Sequence, residues 1–407
     1  MKMKFQLLLA SMVLLPVLSA CRMGQFSPRP TIPLVERIIN DQQSAERQLL
    51  SSLDAKTPHA DIVLLDTPER CFYLSERFVT CDVRDNVDGQ STVDLLPDFA
   101  GERITSIIDL VYPPYDRFLA AENSSALREI TVRAALGAVD TACCLGPFDH
   151  EKRSRKPSAK VVVLSSPFMA ANGGFDLDTL FRSTGAAVAV LSAPELMFSR
   201  VAGSHPGAVN IGVLSDSLAA VSGVYQAVFE EWRHKRGDTY STLFTFSVPD
   251  DADSVSLSAA AMSPDAFKQI LDQYSKSGKT SALTALVVDD HSVSIDSLRS
   301  SYQRILSRPS DENAFYRKML AKDFEFIDGA RVVTDACYQY LRENNLFTHN
   351  ISYPVAAAFV TSPEAKGYLL MDFDVNALPV EMADRLQRIA PATYKMYVQD
   401  QYHARGN

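Results

Sequence analysis

The chain has 407 residues, of which 46% are hydrophobic and 22% charged, so it can build a hydrophobic core and is not a disordered chain. Its 17 glycines and 21 prolines exclude a collagen-like or low-complexity architecture. The net charge of −9 argues against a nucleic-acid partner, because phosphate contacts need clustered Lys and Arg side chains.

The first twenty residues have the pattern of a bacterial secretory signal. Lys2 and Lys4 form a basic start, and the apolar stretch 5–18 is shorter than the roughly 20 residues that a spanning helix needs. The stretch ends in Leu-Ser-Ala-Cys at positions 18–21, which resembles the bacterial lipobox. That resemblance implies cleavage before Cys21 and lipidation of its thiol. An ordinary cleaved signal with an incidental cysteine is the alternative.

The expected location is the bacterial cell envelope. Arg22, and not Asp, follows the lipidated position, so the inner-membrane retention signal of such lipoproteins is missing and the outer membrane is favoured. No later segment has 18 uninterrupted apolar residues, so we expect membrane contact only through acyl chains on Cys21.

Five further cysteines remain, and an exported protein can form disulfides. Cys71 and Cys81 flank an alternating run and could bridge a hairpin. Cys143 and Cys144 are adjacent, a spacing that strains a disulfide between them. With Cys337 the number is odd, so at least one thiol is expected to stay free.

Beyond a tether and one helix over 34–53, short apolar runs alternate with amphipathic stretches. The predicted strands are 62–65, 77–83, 104–110, 160–165, 187–191, 210–215, 241–248, 282–288 and 324–327. The predicted helices are 124–142, 176–183, 220–235, 264–275, 294–307 and 330–344. Residues 151–158 are expected to be a basic loop, 172–174 a turn, and 355–360 with 368–373 a hairpin.

This alternation predicts an α/β protein of two lobes, with parallel sheets, flanking helices and a C-terminal β-hairpin extension. The expected division is a signal peptide 1–20, a tether and helix 21–59, a first lobe 60–205, a second lobe 206–327, and a return helix with extension 328–407.

Polar residues follow four of the predicted strands, where a doubly wound sheet binds its ligands. These residues predict a polar cleft for a small ligand and are Asp85, Asn86, Ser165, Ser166, Ser217, Ser222, Asp290 and His291. Asp290 beside His291 is a candidate acid/base pair, and a position of His291 at the surface without such a role is the favoured alternative. The acidic run 82–88 lacks EF-hand spacing, and no metal or cofactor is expected.

Four segments in this order resemble the aspartate/glutamate racemase superfamily over roughly residues 78–345. They are Arg84-Asp85-Asn86-Val87-Asp88-Gly89, Pro114-Tyr115-Asp116, Ser222-Gly223-Val224-Tyr225 after the run 211–214, and the run 285–288 with 326–329. The resemblance implies a two-lobed fold and racemisation by two cysteines, one in each lobe. Those positions fall at Ser165 or Ser166 and at Asp290, so the two-thiol chemistry is not expected here.

We therefore expect a lipid-anchored protein that binds a small polar or carboxylated ligand without two-cysteine racemisation. One alternative is an enzyme, such as a lyase, isomerase or hydrolase, that uses Asp290 and His291 as acid and base. The others are an envelope scaffold and a lipoprotein that resembles periplasmic binding proteins. The sequence identifies no protein partner.

Overall fold

The computed structural model describes residues 29–53, 59–66, 68–85, 89–108, 119, 122–146, 149–247, 265–279, 281–348, 350, 352–362 and 385–389. The body begins at Thr31. Its helices are α1 Pro33–Asn40, α2 Ala45–Ser52, α3 Pro68–Thr80, α4 Ser124–Val139, α5 Pro167–Thr184, α6 Ala193–Ser204, α7 Ser217–Val221, α8 Val224–Arg236, α9 Ala266–Lys276, α10 Ile295–Ser307, α11 Asp311–Arg317 and α12 Gly329–Glu343.

The strands alternate with these helices. They are β1 Asp61–Asp66, β2 Arg103–Ile108, β3 Ala142–Gly146, β4 Asp149–Arg155, β5 Ala159–Leu164, β6 Ala189–Ser192, β7 Asn210–Leu214, β8 Thr242–Phe246, β9 Leu283–Val288, β10 Leu320–Asp328, β11 Val355–Ser362 and β12 Arg385–Ile389.

The described strands form two sheets, with the orders β4-β3-β12-β11-β2-β1-β5-β6 and β10-β9-β7-β8. Strands β11, β2, β1, β5 and β6 run parallel, and all neighbours in the second sheet are parallel. The α/β class with parallel sheets and flanking helices is therefore confirmed.

The central strands are buried on both faces, as their continuous apolar sequences predict. Every residue of β1, β5 and β7 is buried. In the second sheet the side chains alternate between two cores, because successive residues of a strand point to opposite faces. Val213 and Val287 belong to the core shared with the first sheet, whereas Leu214 and Leu286 pack in the core under α9 and α10.

The C-terminal strands lie inside the first sheet. β11 and β12 pair antiparallel, but β11 also pairs with β2 in parallel and β12 pairs with β3. The predicted partner strand 368–373 lies outside the described residues, and Arg385–Ile389 takes its place beside β11.

Four local predictions were wrong. Residues 77–83 are the end of α3 and the turn after it, because Leu74 and Phe78 are buried one helical turn apart. The expected turn at 172–174 lies within α5, and the expected loop at 151–158 includes β4, paired with β3. The single helix expected over 34–53 is two helices, broken near Asp41.

The α3 helix also removes the predicted hairpin disulfide. Cys71 and Cys81 are ten residues apart along a helical stretch, a rise of about 15 Å, which a disulfide cannot span. Among the described residues, Cys81, Cys143, Cys144 and Cys337 form no disulfide.

No helix among the described residues is both long and apolar enough to cross a membrane.

Candidate functional site

A small cavity lies between the two sheets, at the carboxyl ends of β1, β5 and β9. Its polar lining consists of Asp66, Arg70, Tyr73, Ser165, Asp289 and His291. The apolar lining comes from α3, α6, β9 and α12 and consists of Leu74, Ala193, Met197, Val288, Ala330 and Val333. The volume of about 20 Å³ is room for one water molecule, so a larger ligand needs the wall to move.

Arg70, Tyr225 and Asp289 form a buried network at this cavity. The Arg70 guanidinium is ion-paired with the Asp289 carboxylate and also donates to the Asp289 backbone carbonyl at 3.1 Å. Arg70 Nη1 lies 3.5 Å from the Tyr225 hydroxyl, which itself donates to the second carboxylate oxygen of Asp289. The Arg70 and Asp289 side chains are only 17% and 6% exposed, so water screens the ion pair little.

Three elements of the fold bring these groups together. Arg70 lies in the first turns of α3, which follows β1 in the first sheet. Asp289 directly follows β9, and its backbone nitrogen donates to Leu214 at the end of β7. Tyr225 lies in the first turn of α8, where Gly223 takes the left-handed conformation with φ of 78°. The network therefore joins the first sheet to the second.

Burial and the ion pair act in opposite directions on the titration of this network. Burial disfavours the charged form of Arg70, but the carboxylates around it, Asp289 foremost, raise its pKa well above the ordinary value. Burial raises the pKa of Asp289, against the effect of Arg70 and the Tyr225 hydroxyl. Burial also raises the pKa of Tyr225. Arg70 is therefore charged and Tyr225 is a neutral hydrogen-bond donor at neutral pH.

His291 lines the cavity opposite the ring of Tyr73, with the ring centroids 6.1 Å apart. Burial lowers the pKa of His291, although the neighbouring Asp290 carboxylate opposes the shift. The imidazole is therefore neutral at neutral pH. Asp290 is not part of the lining, and its carboxylate accepts hydrogen bonds from the backbone nitrogen of Ser292 at 2.8 Å and from its hydroxyl at 2.7 Å.

The predicted serines do not converge on the cavity. Ser165 lines it, but its hydroxyl donates to the Leu65 carbonyl at 2.9 Å. Ser166 is the N-cap of α5, where its hydroxyl accepts from the Met169 nitrogen. Ser217 begins α7 outside the lining, and the exposed Ser222 donates to the Ala219 carbonyl at 3.3 Å.

Asp85 also lies away from the cavity lining. It follows α3 and not a strand, and its backbone bonds to Gly89 and Gln90 within the same loop. Asn86 lies outside the described residues. In the described part of the chain, no three His, Cys, Asp or Glu side chains are grouped to hold a metal ion.

Four of the six polar lining residues, Asp66, Arg70, Tyr73 and Asp289, were not among the predicted site residues. Asp66 follows an apolar run directly, and the rule of strand carboxyl ends could have found it. Asp289 belongs to the same polar strand end as Asp290, but Asp290 was chosen there as the candidate acid/base residue. Arg70 gave no signal, because the segment that carries it contains a helix that was not predicted.

The described cysteine side chains, Cys81, Cys143, Cys144 and Cys337, are not part of the cavity lining. Burial raises the pKa of Cys81 to about 12 and that of the fully buried Cys337 further. The thiols of Cys81 and Cys337 are therefore protonated at neutral pH and are poor nucleophiles or bases.

No protein-family model and no curated protein matches the chain. Among solved structures, it is similar to the glutamate racemase isoform RacE1 of Bacillus anthracis, with 17% identity and a TM-score of 0.47 over 75% of this chain and 90% of that one. The glutamate racemase of Francisella tularensis in complex with D-glutamate has 13% identity and a TM-score of 0.44, over 84% and 95%. A putative Asp/Glu racemase from Yersinia pestis has 12% identity and a TM-score of 0.37, over 69% and 98%.

Proposed function

We propose that the protein is a lipid-anchored envelope protein that binds a small polar or carboxylated ligand in the cavity between its sheets, without two-cysteine racemisation. The observation that carries the proposal is the buried guanidinium of Arg70 in the cavity wall. A buried Arg side chain presents fixed donors that match a carboxylate, and such convergent polar groups in an apolar wall are typical of ligand sites.

The composition of the wall supports binding of a small molecule. The lining combines the charged or polar groups of Asp66, Arg70 and Asp289 with aliphatic carbons of Met197 and Val333. The polar groups would fix the orientation of a ligand, and the apolar groups would exclude water from it. Because the cavity has room for about one water molecule, binding requires part of its wall to move.

The absence of turnover by two thiols is proposed from the positions of the cysteines. Two-sided proton transfer needs two thiol groups at one carbon atom, one on each face. Four of the five cysteines after Cys21 lie away from the cavity lining, which leaves too few for this chemistry. Incubation of the full chain with L-aspartate or L-glutamate should therefore leave the optical rotation unchanged. Steady racemisation that is lost on replacement of Cys71 by serine would contradict this part, because it would show that the reaction depends on a thiol.

A thermal-shift panel of amino acids and dicarboxylates on the detergent-solubilised full chain tests the binding part. A ligand that binds only the folded state raises the free energy of unfolding by RT ln(1 + c/Kd), where c is the free ligand concentration, and the unfolding temperature rises with it. We expect at least one carboxylated compound to stabilise the wild type at millimolar concentration. No stabilisation by any compound would contradict the proposal.

A second function has one observation in its favour. A neutral imidazole at a cavity is suited to act as a general base, and His291 lines the cavity with a lowered pKa. This enzyme would be a lyase, isomerase or hydrolase, with Asp290 holding the loop of His291 through Ser292. Consumption of a panel compound by the wild type and not by His291→Gln would favour this alternative over binding alone.

A further inference from the structure

The guanidinium of Arg70 already holds a carboxylate. Asp289 lies 219 positions further along the chain and reaches Arg70 from the second sheet. Two donors of Arg70 are taken by this residue, one by the carboxylate and one by its backbone carbonyl. An incoming anion therefore meets an Arg side chain whose preferred partner is in place.

The space beside the pair is too small for a further anion. The free space of about 20 Å³ is of the size that holds one water molecule, so an anion of several heavy atoms does not fit without a movement. While the rest of the wall stays in place, a ligand carboxylate can pair with Arg70 only in the position that the Asp289 carboxylate now occupies.

Asp289 has a second partner that would remain after such a move. The Tyr225 hydroxyl donates to its other carboxylate oxygen from α8. A displaced Asp289 would keep this bond, so the exchange would leave no buried carboxylate without a donor. Asp66 and Asp216 also act on Arg70 electrostatically and help to keep it charged during the exchange.

We propose that Asp289 occupies the anion site of the ligand: the ligand is a carboxylate that replaces the Asp289 carboxylate on Arg70, and the Arg70–Asp289 pair holds the cavity closed until it does. This inference rests on the proposed ligand-binding function and specifies how that site is regulated. It implies that the wild type binds simple carboxylates weakly, because each of them must compete with the Asp289 carboxylate for Arg70.

A second buried pair in the chain provides a matched control. Arg128 on α4 contacts Asp176 on α5 through two hydrogen bonds of 2.7 and 2.8 Å, and Asp176 is fully buried. Neither residue is part of the cavity lining. Removal of either carboxylate takes the carboxylate contact from a buried Arg, but only one of the two positions adjoins the cavity.

The experiment replaces each Asp with alanine in the full chain and uses acetate as the probe, since acetate has the shape of the deleted side chain. Unfolding temperature is measured against acetate up to about 100 mM, with chloride at equal ionic strength as the reference. We expect Asp289→Ala to bind acetate at least about tenfold more tightly than the wild type. Asp176→Ala should show no stabilisation beyond that of the wild type.

A second variant allows the test to be made even if Asp289→Ala does not fold. Asp289→Ser retains a hydroxyl that can accept from Tyr225 and should respond to acetate in the same way. If Asp289→Ala is unfolded in chloride, acetate should restore its cooperative unfolding transition. Further replacement of Arg70 by Met in either variant should abolish the response, because the acetate then has no cation to bind.

The outcomes separate this inference from the proposed function. Equal responses of Asp289→Ala and Asp176→Ala, or no response of Asp289→Ala and Asp289→Ser, would overturn the inference even if the wild type binds panel compounds. A strong response of the two Asp289 variants, beside a wild type that binds no panel compound, would support an occupied anion site and reject only the proposed function.

Discussion

The Lys160 ammonium lies 2.5 Å from the Glu102 carboxylate, and the two side chains are 1% and 0% exposed. Lys160 also donates to the Leu346 carbonyl at 2.8 Å, and Glu102 accepts from the Thr348 nitrogen at 2.8 Å. The pair therefore attaches the segment before β11 to the first sheet, which brings the C-terminal part of the chain to the centre of that sheet.

Removal of one partner of this pair should be far more costly than removal of both. Glu102→Gln or Lys160→Met leaves a buried charge unpaired, and each should lower the free energy of unfolding by about 3–5 kcal/mol. The double variant should lose much less than the sum. Urea unfolding measures the three variants, with the exposed pair Arg182–Asp178 as control, where Arg182→Ala should cost about 0–1 kcal/mol. Strict additivity of the two buried changes would contradict the role given to the pair.

The glycine pair in α5 provides a test of helix packing. A Cβ atom on Gly173 would lie 2.4 Å from the Thr131 side chain on α4, whereas one on Gly174 would meet only a Leu164 methyl group at 3.8 Å. We expect Gly173→Ala to destabilise the protein by about 1–3 kcal/mol through overpacking. Gly174→Ala should be neutral or stabilising by up to about 1 kcal/mol, because alanine favours a helix. Equal effects of the two substitutions on urea unfolding would contradict the close approach of α4 and α5.

Asp61 should give the protein a distinct dependence of stability on pH. Burial raises the pKa of this carboxyl to about 6, although the Thr105 hydroxyl donates to it at 2.6 Å. Between about pH 4 and pH 6 the folded state then binds more protons at Asp61 than the unfolded state, so this contribution to stability is lost as pH rises.

The measurement compares the wild type with Asp61→Asn across that range. The free energy of unfolding of the wild type, relative to the variant, should fall by roughly 2 kcal/mol between pH 4 and pH 7. In Thr105→Val, which lacks the donor that lowers the pKa of Asp61, the fall should extend to higher pH. A difference that stays constant with pH would mean that Asp61 titrates normally.

The proposed lipid anchor has a direct test in cells. Metabolic labelling with a palmitate analogue should label the full chain and sediment it with membranes, since acyl chains supply the anchoring energy. Cys21→Ser should remove both label and sedimentation, whereas Cys81→Ser should change neither. Labelling that persists in Cys21→Ser would place the lipid elsewhere or reject the anchor.

Much of the fold could be predicted because the inner strands are marked by their sequences. The continuous apolar runs in β1, β5 and β9 are typical of strands that are buried on both faces, and all three runs form strands. Edge strands carry no such mark, which is why β4, with its charged residues, was expected to be a loop. Gly173 was expected in a turn because the sequence does not show that a glycine is needed there for the close contact with Thr131 on α4.

The sequence predicted where the site lies in the fold, but not which side chains form it. The carboxyl ends of parallel strands gave the neighbourhoods of Ser165 and His291, both of which line the cavity. The choice of groups within those neighbourhoods depends on contacts between distant parts of the chain. The pair of Arg70 and Asp289 needs both the position of α3 and the approach of the second sheet, and neither is encoded in a local pattern.

Binding in the cavity is tested most directly by methyl NMR of the full chain with ¹³C-methyl methionine. Met197 lines the cavity and Met169 is buried in α5 outside the lining, so the two methyl groups are a probe and an internal control. A stabilising carboxylate should shift the Met197 signal, assigned with Met197→Leu, and leave the Met169 signal in place. Arg70→Met should abolish the shift, whereas Arg77→Met on the same helix, which removes a half-exposed pair with Asp328, should retain it. An unchanged Met197 signal at saturating ligand, or the same shift in Arg70→Met, would contradict the account.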